Sequence, residues 1–184
     1  MSAEYDPKGA DDLWVFGYGS LLWNPGFIFV EARPARLIGH HRALCVYSHR
    51  YRGSPDRPGL VLGLDRGGSC HGLAYRVAAE EAATVQAYLR EREMVNGVYL
   101  EDFRRVRLQD GSAVMALSYV ADRRHRQYAG HLDRDARLAL VRQGVGLAGP
   151  NVDYVLNTAE RLRDLGVRDP ELEWFAAQLE AATD

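Results

Sequence analysis

Two features combine residue types that could carry chemistry. The first is Phe16-Gly17-Tyr18-Gly19-Ser20-Leu21-Leu22, which follows the apolar run Leu13-Trp14-Val15-Phe16. Two glycines at a strand end let the backbone approach a ligand and turn its N–H groups inward, a nest able to bind a carboxylate or polarise a carbonyl oxygen. A tight turn with no ligand uses the same residues. Three familiar motifs fail at named positions. A dinucleotide fingerprint needs glycine where Leu22 stands, and a phosphate loop needs a Gly-Lys-Ser/Thr that the chain lacks. A nucleophile elbow needs glycine at 18 and 22, where Tyr18 and Leu22 stand.

The second feature is a set of carboxylates on the helical pattern Glu80 to Glu93, whose apolar positions are Val85, Tyr88 and Leu89. At about 100° per residue with Val85 as zero, Leu89 falls near 40°, Tyr88 near −60° and Glu93 near 80°. Glu91 falls near −120° on the same wheel and Arg90 near 140°. Glu93 therefore sits at the edge of the apolar face, and Glu91 points away. A carboxylate against the core is partly desolvated, which raises its pKa above the ordinary value of about 4.3. A surface carboxylate paired with Arg90 or Arg92 is the bland alternative. Arg92 falls near −20°, in the middle of the apolar face, and a buried Arg requires an acidic partner. That partner is expected to be a group other than Glu93, which would otherwise be held ionised.

The remaining titratable groups offer less. The histidines at 40, 41, 49, 71, 125 and 131 show no metal-ligand spacing, so neither a metal nor a cofactor is expected. Cys45 and Cys70 have no neighbouring Cys or helix-start context and read as small core residues. Arg123-Arg124-His125-Arg126 reads as a solvated turn, and Arg52 and Arg57 lie on a Pro/Gly-rich stretch that reads as a flexible surface loop.

The elements that must position these groups follow from periodicity. Strands are expected at Leu13–Phe16, within Arg36–Tyr47, at Leu60–Leu64 and at His71–Val77, with turn-rich surface loops at Arg52–Pro58 and Asp65–Ser69. Phe103–Leu108 and Ala113–Ala121 flank Asp110-Gly111, a signal for a hairpin with a type I′ turn. Helices are expected at Glu80–Glu93, Arg134–Arg142, Val152–Leu165 before Gly166, and Pro170–Ala182 capped by Asp169. Strands, one helix, a hairpin and then helices make an α+β chain. The 184 residues, 47% of them hydrophobic, suit one domain over 1–184 with a flexible polar N-terminus at 1–12. A net charge of −2 gives no bulk attraction to nucleic acid or an anionic membrane. No apolar run nears the roughly 20 residues that span a bilayer, and the acidic N-terminus is not a signal peptide. Two cysteines in a fold this size fit a reducing, cytoplasmic setting.

Trp14 to Pro25 resembles the opening signature of the ChaC branch of the γ-glutamylcyclotransferases, including the direct step from Ser20 to Leu21 where other branches insert an Asn. The resemblance continues through Ser48-His49-Arg50-Tyr51-Arg52-Gly53-Ser54-Pro55, Gly72–Val77, Arg92-Glu93 and Gly149-Pro150-Asn151 with Tyr154. It implies a small mixed β-barrel with flanking helices, and a reaction in which the α-amine of a γ-glutamyl group attacks its own γ-carbonyl. For this branch the implied substrate is glutathione and the products are 5-oxoproline and Cys-Gly. The resemblance places the acid–base at Glu93 and the substrate against Val15, Phe16, Gly17, Tyr18, Gly19, Ser20 and Leu21. Tyr154 is either a substrate contact or a core aromatic, and Arg52 either attracts the glycine carboxylate or stays solvated. No obligatory protein partner is evident. Many relatives carry two glycines after the Glu; here Met94-Val95-Asn96-Gly97 stands, with Asn96 expected to take the left-handed conformation. Two alternatives remain: a cyclotransferase for other γ-glutamyl amino acids or γ-glutamylamines, and a catalytically silent binding module.

Overall fold

Apolar runs between Leu13 and Ala121 pair into a closed barrel. The computed structural model describes residues 11–181. Five strands, β1 (Leu13–Gly17), β2 (Glu31–Ser48), β3 (Gly59–Val77), β4 (Tyr99–Leu108) and β5 (Ala113–Ala121), follow each other in the order β1-β3-β2-β4-β5. The barrel closes where β1 runs parallel to β5, Trp14 beside Ala116 and Val15 beside Leu117. β3 also meets β5 in parallel at Leu64 and Val120, while the β1–β3, β3–β2, β2–β4 and β4–β5 pairs are antiparallel, so the barrel is mixed. Closure removes the exposed edges that an open sheet would present.

The long β2–β3 hairpin departs from expectation. Asp65–Ser69 is not a loop; β3 runs through it as one strand of 19 residues against the 18 of β2. Gly67 and Gly68, at φ +99° and +67°, oppose Gly39 at φ +92°, and the register shifts between Ile38 and His40. The turn-rich composition encodes a bulge, which kinks and twists a strand without ending it. The β4–β5 hairpin forms as expected, but Gly111 (φ +88°) alone has positive φ at its tip. A type I′ turn needs two such residues, so the connection is a longer loop in which Gly111 N–H bonds the Leu108 carbonyl at 3.0 Å.

Among the described residues four α-helices flank the barrel: α1 (Ala82–Glu93), α2 (Arg134–Gln143), α3 (Asn151–Asp164) and α4 (Pro170–Glu180). Asp133 and Asp169 cap α2 and α4 by accepting the Ala136 and Leu172 N–H groups at 2.8 and 3.0 Å. Gly166, at φ +67°, follows α3 as expected. A short antiparallel pair, β6 (Val145–Gly146) and β7 (Gly149–Pro150), leads into α3. The buried face of α3 carries Tyr154, Val155, Thr158, Ala159 and Leu162 at helical spacing. Asn151 opens that helix and serves as a strand surrogate, accepting the Leu60 N–H at 2.6 Å and donating to the Leu60 carbonyl at 2.7 Å. These two bonds fix the start of α3 on β3 and so place Tyr154.

Cys45 and Cys70 are free and buried, and burial pushes their thiols up to about 12 and about 11. Asp12 is held in place, accepting from Arg76 at 2.6 Å and from the Ala79 N–H at 3.1 Å; residues 1–10 of the expected flexible N-terminus lie outside the described residues. Arg123 is tied to Asp65 at 2.6 Å, so the basic turn is anchored at its first residue. Among the described residues no helix is long and apolar enough to cross a membrane.

Candidate active site

One mouth of the barrel opens into a cavity of about 510 Å³. Its wall is drawn from the turn after β1, the exit of β2, the end of α1, the barrel interior and α3. Of the residues expected to meet substrate, Tyr18, Gly19, Ser20, Leu21, Arg52, Glu93 and Tyr154 line this cavity. Val15, Phe16 and Gly17 do not; they lie in β1, where Val15 and Phe16 are buried in the core. They hold the turn from behind. Gly17 is required there, because an added Cβ would come within 2.9 Å of the Tyr75 ring.

Glu93 ends α1 with 19% of its side chain exposed, at the cavity. Burial pushes its carboxyl above the ordinary value, and the Arg92 guanidinium offsets only part of that. Four phenols, Tyr18, Tyr99, Tyr119 and Tyr154, face the same cavity. Burial raises each of them, and the Glu93 charge adds to the effect at all four. Glu93 thus shares its cavity with four phenols that feel its charge, and its Oε1 stands 3.3 Å from the Arg92 guanidinium. Glu91 is exposed, as its wheel position implied, although it reaches the rim of the cavity.

The turn after Gly19 is a single 3-10 turn, Ser20–Leu22, in which the Leu22 N–H bonds the Gly19 carbonyl at 2.9 Å. The first N–H groups of any helical turn have no partner within it. Those of Ser20 and Leu21 therefore have no partner inside the turn. The turn is locked from three sides. Tyr75 donates to the Leu21 carbonyl at 2.6 Å, and the buried Arg42 donates to the Tyr18 carbonyl at 2.6 Å while pairing with Asp169 at 2.7 Å. The Tyr18 hydroxyl spans the barrel to the Tyr119 carbonyl at 2.8 Å.

Tyr154 lies at the junction of its two expected roles, buried in the core with its hydroxyl at the cavity. That hydroxyl accepts the Leu62 N–H at 3.0 Å, which leaves its own proton to donate. It also sits beside Gly19, where an added Cβ would lie 3.3 Å from it. Arg52 corrects the expectation of a flexible loop. It is only 8% exposed, donates to the Pro150 carbonyl at 2.9 Å and lies over the Tyr154 ring. Arg57, by contrast, is exposed and away from the cavity wall. Arg92 corrects a second expectation: its acidic neighbour is Glu93 itself, Nε to Oε1 3.3 Å, and its other partners are oxygens of the 20–25 turn and Tyr88. Gly97, at φ +69°, takes the left-handed conformation expected of Asn96. Tyr99, Tyr119 and Asn151 are the components that residue patterns did not single out as a set. Strand alternation marks Tyr99 and Tyr119 as inward-facing, but only barrel closure brings them to the same carboxylate.

The closed mixed barrel with flanking helices is a γ-glutamylcyclotransferase-like fold, shared with solved proteins of that name. A solved yeast γ-glutamyl cyclotransferase specific to glutathione superposes with a TM-score of 0.85 at 19% identity, covering 93% of this chain and 96% of that one. A family model described as ChaC-like protein matches residues 13–182, and the chain belongs to that family. Among its relatives, a glutathione-specific γ-glutamylcyclotransferase of Escherichia coli K12 is 36% identical over 87% of this chain and 69% of its own length. A human glutathione-specific γ-glutamylcyclotransferase 1 is 32% identical over 98% and 83%.

Proposed function

We propose that the chain cyclises the γ-glutamyl group of glutathione, releasing 5-oxoproline and Cys-Gly, with Glu93 as acid and base. The observation that carries this reading is the meeting of Glu93 with Gly19, Ser20 and Leu21 of the glycine turn on one cavity wall. Membership of the ChaC-like family and the names of its relatives support glutathione as the substrate.

The chemistry needs little else. Glu93 takes a proton from the substrate's α-ammonium. The freed nitrogen attacks the γ-carbonyl carbon, and the carbonyl oxygen gains charge that we assign to the N–H groups of Ser20 and Leu21 and to the Tyr154 hydroxyl. Collapse breaks the γ-amide C–N bond as Glu93 returns its proton to the departing cysteinyl nitrogen, and the ring nitrogen's second proton passes through Glu93 to that amine, which leaves as an ammonium. Every atom of the substrate ends in one of the two products, so neither water, oxidant nor cofactor is consumed. Attacking nitrogen and carbonyl belong to one molecule, and such well-oriented intramolecular reactions reach effective molarities of about 10⁵–10⁸ M. Holding the bent conformer is therefore the main task, which suits a rigid turn locked by Tyr75 and Arg42. A carboxyl raised by burial exchanges its proton more readily near neutral pH than an exposed one. Free, buried thiols at Cys45 and Cys70 accord with a cytoplasmic location.

Incubation with reduced glutathione and with γ-glutamyl-alanine, each without added metal, followed by 5-oxoproline quantification, tests the reading. Turnover of glutathione in preference to the dipeptide is the expected result. Turnover of the dipeptide alone reassigns the substrate, and a folded protein silent on both refutes the activity.

A further inference from the structure

Arg92 touches both halves of the site. Its Nη2 donates to Ser20 Oγ at 2.8 Å, and its Nη1 donates to the carbonyls of Asn24 and Pro25 at 2.8 and 3.1 Å and to the Tyr88 hydroxyl at 3.1 Å. Its Nε stands 3.3 Å from Glu93 Oε1. Each nitrogen of the fork thus addresses a different partner, a division that a lysine ammonium, as a point charge, cannot reproduce. The close approach is built in from the other side. Gly26 has φ +74°, and an added Cβ there would lie 2.2 Å from the Tyr88 hydroxyl and 3.5 Å from Nη1 of Arg92. Ser20 Oγ accepts from the guanidinium, so its own proton points elsewhere, and Ser20 lines the cavity.

We infer that Arg92 is a positioning residue that clamps the 20–25 turn onto the end of α1, making the Ser20 hydroxyl a donor toward a substrate oxygen and holding Glu93 beside it. This rests on the cyclotransferase reading for the identity of the substrate. The guanidinium takes one of the two lone pairs of Ser20 Oγ. The clamp gives the site its geometry, and the guanidinium charge limits how far burial raises the Glu93 carboxyl. The other groups facing Glu93 are the phenols of Tyr18, Tyr99, Tyr119 and Tyr154 from four other segments, with Glu91 at the rim.

Full-length Arg92→Lys, Arg92→Gln, Ser20→Ala and the Arg92→Lys/Ser20→Ala double variant supply the test. Three readouts apply: 5-oxoproline release from glutathione, hydrogen exchange at the Leu22 to Asn24 amides, and NMR titration of the Glu93 carboxyl assigned with Glu93→Gln. Arg92→Lys is expected to lower kcat/KM about ten- to hundred-fold and to speed amide exchange in the turn, while leaving the Glu93 midpoint near that of the wild type. Arg92→Gln is expected to move the midpoint upward. Ser20→Ala should cost several-fold less in the Arg92→Lys background than alone, because residues in one network are not additive. Wild-type kcat/KM and exchange in Arg92→Lys overturn the clamp, as do additive losses in the cycle; an unmoved midpoint in Arg92→Gln overturns the electrostatic part. If Arg92→Gln fails to fold, Arg92→Lys and Ser20→Ala still decide the clamp. If the wild type is silent on glutathione, the proposed function fails, while the exchange and titration arms, which need no substrate, still judge Arg92.

Discussion

Replacing Glu93 by Gln should abolish turnover and stabilise the fold at neutral pH. Gln preserves the shape of the side chain and an oxygen for Arg92 Nε, but it neither takes nor returns a proton. General acid–base groups contribute about 10²–10⁴ in rate, and here one carboxylate serves both proton transfers, so a loss of at least about 10³ in kcat is expected. Stability moves in the opposite direction. The folded-state carboxyl is raised by burial, and the Arg92 guanidinium beside it compensates only in part. The ionised form is therefore favoured in the unfolded chain, where the pKa is about 4.3. Below that value the wild type carries no penalty. The penalty grows as pH rises through the folded-state pKa and is complete above it. Glu93→Gln removes it, for a gain of roughly 1–2 kcal/mol, the size common for relieving a destabilised functional position. In a chain of this length about 1 kcal/mol moves Tm by about 2–4 °C. Thermal unfolding at pH 4 and pH 8, run beside 5-oxoproline assays, should show a Tm gap that opens only at the higher pH. A variant within tenfold of wild-type turnover refutes the acid–base assignment, and a variant less stable than wild type at pH 8 refutes the account of its environment.

Three further perturbations probe what holds the site. Asn151→Ala removes both bonds to Leu60 and leaves a buried strand N–H without a partner, so it should cost about 2–3 kcal/mol in denaturant unfolding and also lower kcat/KM by displacing Tyr154. Asp65 is buried, which raises its carboxyl, but bonds from Arg123 and Tyr128 outweigh burial and hold it below the ordinary value. The stability it contributes is present above about pH 3.9 and is lost as pH falls through its folded-state pKa, so the stability gap between wild type and Asp65→Asn should narrow in acid. Gly26→Ala and Gly97→Ala both place Ala at positive φ, for a strain of about 1 kcal/mol. Gly97 has nothing within 4 Å of an added Cβ, whereas Gly26 meets Tyr88 and Arg92. Turnover should fall much further in the Gly26 variant; equal losses argue against the packing described.

The fold was legible wherever periodicity carried it. The runs from Leu13, the β4–β5 hairpin and all four helices form close to the expected residues, because alternation and caps are local signals. Composition misled where glycine served two purposes: Asp65–Ser69 reads as a loop, yet Gly67 and Gly68 let one strand bend through a bulge. Arg52 misled for a similar reason. Its Pro/Gly neighbours signal a surface turn, while Pro150 and Tyr154, about a hundred residues away, bury it.

The sequence alone determined that Glu93 lies on the edge of an apolar helical face and that a glycine turn follows the first strand. Both are properties of neighbouring residues and of fixed backbone periods. It did not determine what those two features meet. Only closure of β1 on β5 sets four tyrosines from four segments around one carboxylate. Only the docking of Asn151 on Leu60 brings Tyr154 to Gly19. The partner of Arg92 was likewise decided in three dimensions. On the wheel it is a buried cation in need of an acid, and in the fold backbone carbonyls and a serine hydroxyl supply most of that need. Glu93 therefore keeps a raised carboxyl beside an arginine, a balance between burial and charge that depends on distances no sequence pattern contains.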